Sequence, residues 1–265
     1  MDDTTGATVT RRRSWRGRRL DPEHSLGLRL SVATAAAFLV LIPFALLALL
    51  VLGAWPPLLR LDASVTEAFH GYAQDHPAWV GVMTVWTHLF GPGPLRVAAA
   101  VVAVWLFRRG ASRLAAWVVV TMIAGGLIGA LLKLLVGRDR PDLLEPVARA
   151  AGYSFPSGHA LNAALAAGVL LLVFLPFARD SRPGRITLWT AALLVTVVTG
   201  LSRIALGVHW TSDVVGGWVL GAAVVAATSA GFVTWRTGTG RPSTRPLREG
   251  AEPELAEPGA QDGRA

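Results

Sequence analysis

Three short runs, far apart in the chain, hold the side chains able to do chemistry. Lys133, Arg138, Arg140 and Pro141 stand in KLLVGRDRP, Ser157, Gly158 and His159 in PSGH, and Ser202, Arg203, His209 and Asp213 in SRIALGVHWTSD. Converging cations call for an anion. Two guanidinium forks and an ammonium suit a phosphate, because Arg binds its oxygens bidentately and Lys adds a point charge. Lys133 is the only Lys among 25 basic residues, as expected of a position chosen for the geometry of a compact ammonium. The backbone N–H groups of Ser157 and Gly158, at the start of a helix, can add donors aligned with its dipole. His209 and Asp213 are spaced i, i+4, which puts them on one face if that segment is helical. A carboxylate bonded to one imidazole nitrogen leaves the other unprotonated, as a nucleophile or base requires. His159 comes from another run, and two histidines with distinct partners fit a two-step reaction in which one attacks and the other protonates the leaving oxygen.

The elements that must position these residues follow from composition. Of the 265 residues, 52% are hydrophobic and 16% charged, whereas a soluble domain carries about 25% charged residues. The apolar residues gather into long uncharged runs, as when lipid is the solvent for the fold. The expected fold is all-α, a polytopic membrane bundle of six transmembrane helices near residues 30–52, 95–107, 114–135, 160–178, 186–201 and 214–235. Residues 1–27 form a basic tail and residues 237–265 a Pro-, Gly- and Glu-rich tail, both expected to be disordered, with the membrane domain over 28–236. Thr10 to Trp15 faintly resembles a twin-arginine export signal, but the apolar run that follows is too long for one. Residues 55–90 are expected to be an outer loop with one or two short amphipathic pieces, best placed at 79–90, and its His70, His76 and His88 to be solvated or interfacial. Gly125 and Gly129 make a small-xxx-small pattern suited to close helix packing. The absence of Cys excludes disulfides, thiolate catalysis and Cys-ligated metal.

With the N-terminus inside, 18 basic residues fall in inner segments and 7 in outer ones, which favours cytoplasmic termini. The three runs then meet at the outer face, where the third span ends, the fourth begins and the fifth joins the sixth. A Lys or Arg at mid-bilayer costs about 2.5 to 3.5 kcal/mol, so several at matching depth need a partner. A net charge of +8 raises nucleic acid as a partner, but no aromatic and basic surface is interleaved, and the charge is better read as setting orientation.

The three runs, in this order and spacing, resemble the signature motifs of the type 2 phosphatidic acid phosphatases, the membrane branch of the superfamily that includes the vanadium haloperoxidases. The resemblance implies a haloperoxidase-like helical core in which Lys133, Arg140 and Arg203 hold the phosphoryl oxygens, assisted by Ser157 and Gly158. It implies that His209 attacks phosphorus to give a phosphohistidine, that Asp213 orients His209, and that His159 protonates the leaving group before water completes the hydrolysis. No metal and no other cofactor is implied. The implied partners are the bilayer and a phosphorylated lipid at the extracytoplasmic face of the cell membrane. Undecaprenyl diphosphate leads, because an outward-facing bacterial member would meet it there; phosphatidic acid and phosphatidylglycerol phosphate follow.

Plainer readings stand beside these. Lys133, Arg138 and Arg140 taken singly would suit interfacial anchors, and Ser157 a helix N-cap. His159, His209 and Asp213 would suit a divalent metal, against which three nearby cations argue. A non-enzymatic lipid-phosphate binder or transporter would need the cations but neither the histidines nor Asp213. Haloperoxidase-like use of vanadate is disfavoured by poor access for halide and peroxide.

Overall fold

The computed structural model describes residues 41–238, and among them every regular element is helical. The part of α1 that is described, Leu41–Leu52, turns through 90° into α2, Pro56–Asp75. Helices α3 (Pro77–Leu89) and α4 (Pro92–Arg108) follow, then α5 (Ser112–Val136) and α6 (Gly158–Phe174), which a 3₁₀ turn extends over Leu175–Ala178. Helices α7 (Arg182–Ala205) and α8 (Thr211–Gly238) complete the bundle. Among the described residues five segments are long and apolar enough to cross a bilayer, six if the bent pair α1–α2 is one span, and the chain is a multi-pass membrane protein. The expected tails, and the start of the first span at residues 30–40, lie outside the described residues.

Within the expected outer loop at 55–90, the piece placed at 79–90 is found as α3, and a longer helix, α2, fills 56–75. Both start with Pro in the first turn, where a missing N–H costs nothing and the fixed φ is already helical. Asp62, Thr66 and Ala73, spaced for one helical face, are the buried side of α2, which packs on α7 and α8. Helix α3 runs on with α4 as a single 32-residue apolar segment, which makes the second span longer than the thirteen residues expected.

Helix α6 is the hub, packed by α4, α5, α7 and α8. Its neighbours approach through glycine. A Cβ on Gly125 or Gly129 of α5 would collide with Leu165 and Leu161 of α6, as the small-residue pattern predicts. On α8, a Cβ at Gly217 would lie 2.7 Å from Ser157 O and one at Gly221 2.6 Å from Ala164 Cβ. The outward faces carry exposed Val97, Val101, Leu127, Leu134, Ile186 and Leu193, as lipid contact requires. Close packing at the start of α6 therefore brings the ends of α5, α7 and α8 to one place.

Candidate active site

That place is built from the ends of these helices and from the segment 137–157. Helix α5 stops at Gly137, whose positive φ of 62° lets its N–H return to Lys133 O. The chain then doubles back, and Ser154 ties the segment by donating from N and Oγ to Arg138 O and from Oγ to Asp139 O. Arg140 is laced into the same segment. Its Nε donates to Gly152 O at 2.8 Å, Nη2 to Ala151 O at 3.0 Å and Tyr153 O at 3.3 Å, and Nη1 to Val208 O at 2.6 Å. Lys133 Nζ donates to Tyr153 O at 2.6 Å.

His209 is 2% exposed, and its Nδ1 lies 3.3 Å from Asp213 Oδ2, which also accepts the Trp210 N–H at 2.9 Å. With Nδ1–H given to the carboxylate, Nε2 keeps its lone pair, and Arg140 Nη1 stands 3.1 Å from it. Burial pulls the imidazole from 6.5 down to about 4. The Asp213 hydrogen bond and charge push back up, while the charges of Arg140 and Lys133 add to the depression. His209 is thus neutral at neutral pH, and its Nε2 accepts from Arg140 Nη1.

Two buried polar atoms here have no partner, Arg203 Nε and Ser157 Oγ. Arg203 donates from Nη1 to Thr87 Oγ1 at 3.0 Å. Ser157 gives its backbone N–H to Asp213 O at 2.9 Å, stitching the start of α6 to the start of α8. Of the two N–H donors expected there, that of Ser157 is already used, and its hydroxyl is the open donor instead. Gly158 begins α6 beside Lys133, since a Cβ on it would sit 3.9 Å from Lys133 Cε. His159 Nε2 lies 3.5 Å from where a Cβ on Gly91 would be, at the junction of α3 and α4. Unpaired buried donors are costly and rare. Lys133, Arg140 and Arg203 lie close enough to feel one another's charge, so unspent donors among them suit an anion. Among the described residues, no three His, Asp or Glu side chains gather as a set able to hold a metal ion.

Sequence reasoning missed part of the arrangement. Arg138, read only as one more cation, donates to Asp213 Oδ1 at 2.8 Å, to Asp62 Oδ2 at 2.7 Å and to Ser212 Oγ at 2.6 Å. Asp62 belongs to the stretch before the amphipathic piece placed at 79–90, and Thr87 to that piece. The signal for Asp62 was present, because a carboxylate on the buried face of an amphipathic helix demands a partner. His70, His76 and His88, read as having no matched partner, each donate a ring N–H to a backbone carbonyl, of Leu144, Tyr72 and Thr84.

The sequence profile of the PAP2 superfamily matches residues 114–237, the stretch that carries all three runs. Phosphatidylglycerophosphatase B of Bacillus subtilis is 38% identical over 98 residues, 36% of this chain and 46% of that protein. Undecaprenyl-diphosphatase of Sulfolobus acidocaldarius is 30% identical over 128 residues, 46% of this chain and 56% of that protein. Decaprenylphosphoryl-5-phosphoribose phosphatase of Mycobacterium tuberculosis is 39% identical over 102 residues, 37% of this chain and 50% of that protein. The chain thus spans about half the length of the curated relatives it matches. A solved structure of a transmembrane PAP2 type phosphatidylglycerolphosphate phosphatase from Bacillus subtilis superposes with a TM-score of 0.66 at 25% identity, covering 79% of this chain and 99% of that one. Profile and superposition agree: residues 114–237, which carry the three runs, match the PAP2 superfamily, and the fold is that of a transmembrane PAP2 type phosphatase.

Proposed function

We propose that this protein is a metal-independent lipid phosphate phosphatase that works through a phosphohistidine on His209. The observation that carries the reading is the pairing of a neutral His209, its Nε2 facing Arg140, with the unpartnered donors Arg203 Nε and Ser157 Oγ. Lys133, Arg140 and Arg203 hold the phosphoryl oxygens, with the Ser157 hydroxyl and the Gly158 N–H beside them. His209 Nε2 attacks phosphorus as the bond from phosphorus to the lipid-side oxygen breaks, and His159 gives that oxygen a proton. Water then attacks the phosphohistidine, its proton passes to His159, and inorganic phosphate leaves. Asp213 holds the imidazole in the productive tautomer through both steps.

The substrate is a lipid phosphate or diphosphate, reached from the extracytoplasmic leaflet with both termini in the cytoplasm. Two of the relatives named above act, by their names, on undecaprenyl and decaprenyl lipids, which supports undecaprenyl diphosphate as the leading candidate. Phosphatidylglycerol phosphate and phosphatidic acid stand next, the former by the Bacillus subtilis relatives.

The test is inorganic phosphate release by the full detergent-purified chain with EDTA present, from the three lipids in parallel, beside His209→Ala protein. Release that needs His209 supports the reading, and the fastest lipid names the substrate class. His209→Ala turning over normally would sink the mechanism. Reporter fusions at Arg109 and Glu145 should report opposite faces, the first inside; a cytoplasmic Glu145 would invert the orientation.

A further inference from the structure

Behind His209 lies a chain of buried hydrogen bonds that runs out of the signature runs to Asp62. Asp213 Oδ2 is taken up by His209 and the Trp210 N–H, so its orientation depends on what holds Oδ1, and that is Arg138 Nη1 at 2.8 Å. The other arm of the fork, Arg138 Nη2, is 2.7 Å from Asp62 Oδ2. Asp62 in turn accepts the Ser212 N–H on Oδ1 at 2.9 Å and the Ser212 hydroxyl on Oδ2 at 2.5 Å. Asp62 and Asp213 are 1% and 0% exposed and Arg138 11%, and the guanidinium lies over the Trp210 ring at 5.5 Å. A single planar fork therefore bridges two buried carboxylates, one from α2 and one from α8, and Asp62 also grips the residue next to Asp213.

We propose that Asp62 and Arg138 are positioning residues for the reaction, acting through Asp213 on the orientation of the His209 imidazole. The proposal rests on the phosphatase reading given above. Two observations separate this pair from ordinary structural glue. Every polar atom of Asp62 is spent on Arg138 and Ser212, which are the side-chain and backbone neighbours of Asp213. Arg138 also spends Nη1 on Asp213 and Ser212 and Nη2 on Asp62, so its fork is turned to the two carboxylates and not to an anion. Loss of the clamp should leave the cradle, and hence KM, intact while the nucleophile is misdirected. Partners that orient a catalytic or ligating imidazole from one shell out are commonly worth about 10- to 100-fold.

The experiment is a double-mutant cycle on the full chain in detergent, reading kcat and KM for phosphate release. Asp62→Asn should lower kcat about tenfold with KM unchanged within about twofold. On an Asp213→Asn background it should cost nothing further, because the residue it acts through is gone. Arg138→Lys keeps the positive charge between the two carboxylates but not the fork, and should show the same loss in kcat alone. This second variant carries the test if Asp62→Asn protein does not fold. Wild-type kcat in the folded variants, or a loss that multiplies with that of Asp213→Asn, would overturn the proposal while His209-dependent turnover stood. Full turnover by His209→Ala would overturn the phosphatase reading instead.

Discussion

Arg138 and Arg140 are two residues apart in the same run, yet their surroundings are opposite. Arg138 is neutralised by two buried carboxylates, Asp62 and Asp213. Arg140 meets mostly backbone carbonyls, of Ala151, Gly152, Tyr153 and Val208, which fix its orientation without cancelling its charge. The difference divides the site into a charge-balanced region behind His209 and a cation-rich, under-satisfied region in front of it. A guanidinium is a binding group only where no carboxylate has claimed it. The rear region can be rigid because Asp62, Arg138, Ser212 and Asp213 are bonded to one another. The front one can bind because Arg203 Nε and Ser157 Oγ are not.

The most forceful way to break this comparison is in front. Arg203→Ala removes an 8% exposed cation with an unspent donor and is expected to cost about a hundred- to a thousandfold in kcat/KM for phosphate release. A loss no larger than that of Asp62→Asn would erase the distinction between the two regions.

The boundary between them can be sharpened by pH. A histidine held at about 4 keeps its lone pair as pH falls from 7 and loses it only as pH passes through that value. The acid limb of kcat/KM should therefore lie well below 6.5. An ordinary histidine, half protonated at pH 6.5, would forfeit about 160-fold between pH 6.5 and pH 4. Asp213 raises the His209 value, so Asp213→Asn should move the limb further down, whatever it does to the plateau. A wild-type limb near 6.5 would mean that water and counter-charge reach the imidazole more freely than its burial allows.

These expectations draw on both sequence and structure, and what each supplied has a physical basis. Lipid as solvent forces long uncharged runs, so the later spans could be read from hydropathy with bounds near those found, as with residues 114–135 against Ser112–Val136, whereas the second, expected over 95–107, begins at Pro77. The runs around Lys133, Ser157 and His209 announced themselves because charge at helix ends in a membrane needs a reason. Asp62 escaped because nothing in its spacing ties it to Arg138, 76 positions away, or to Ser212, 150 away. Its helix was misread as loop since its polar outer face dilutes its hydropathy, and the buried face shows only in the spacing of Asp62, Thr66 and Ala73. The use of the Ser157 N–H was equally invisible. A helix start looks the same in sequence whether its first donors are free or, as here, already bonded to Asp213 O.

Ser157 gives the smallest expected effect and the cleanest separation of folding from function. Its N–H, which joins α6 to α8, belongs to the backbone and survives substitution by Ala. Its hydroxyl is buried without a partner, and deleting an unsatisfied buried donor is neutral or stabilising for the fold. Ser157→Ala is therefore expected to leave thermal stability in detergent unchanged or raised. If the hydroxyl donates to the phosphoryl group in the transition state, its loss forfeits one hydrogen bond to a charged acceptor, about 1.5 kcal/mol, or about tenfold in kcat/KM. A thermal melt and a rate series on one preparation read both. A variant that melts as the wild type but turns over several-fold slower assigns the donor to the front region, whereas unchanged turnover would leave Arg203 Nε as the open donor on which the cradle depends.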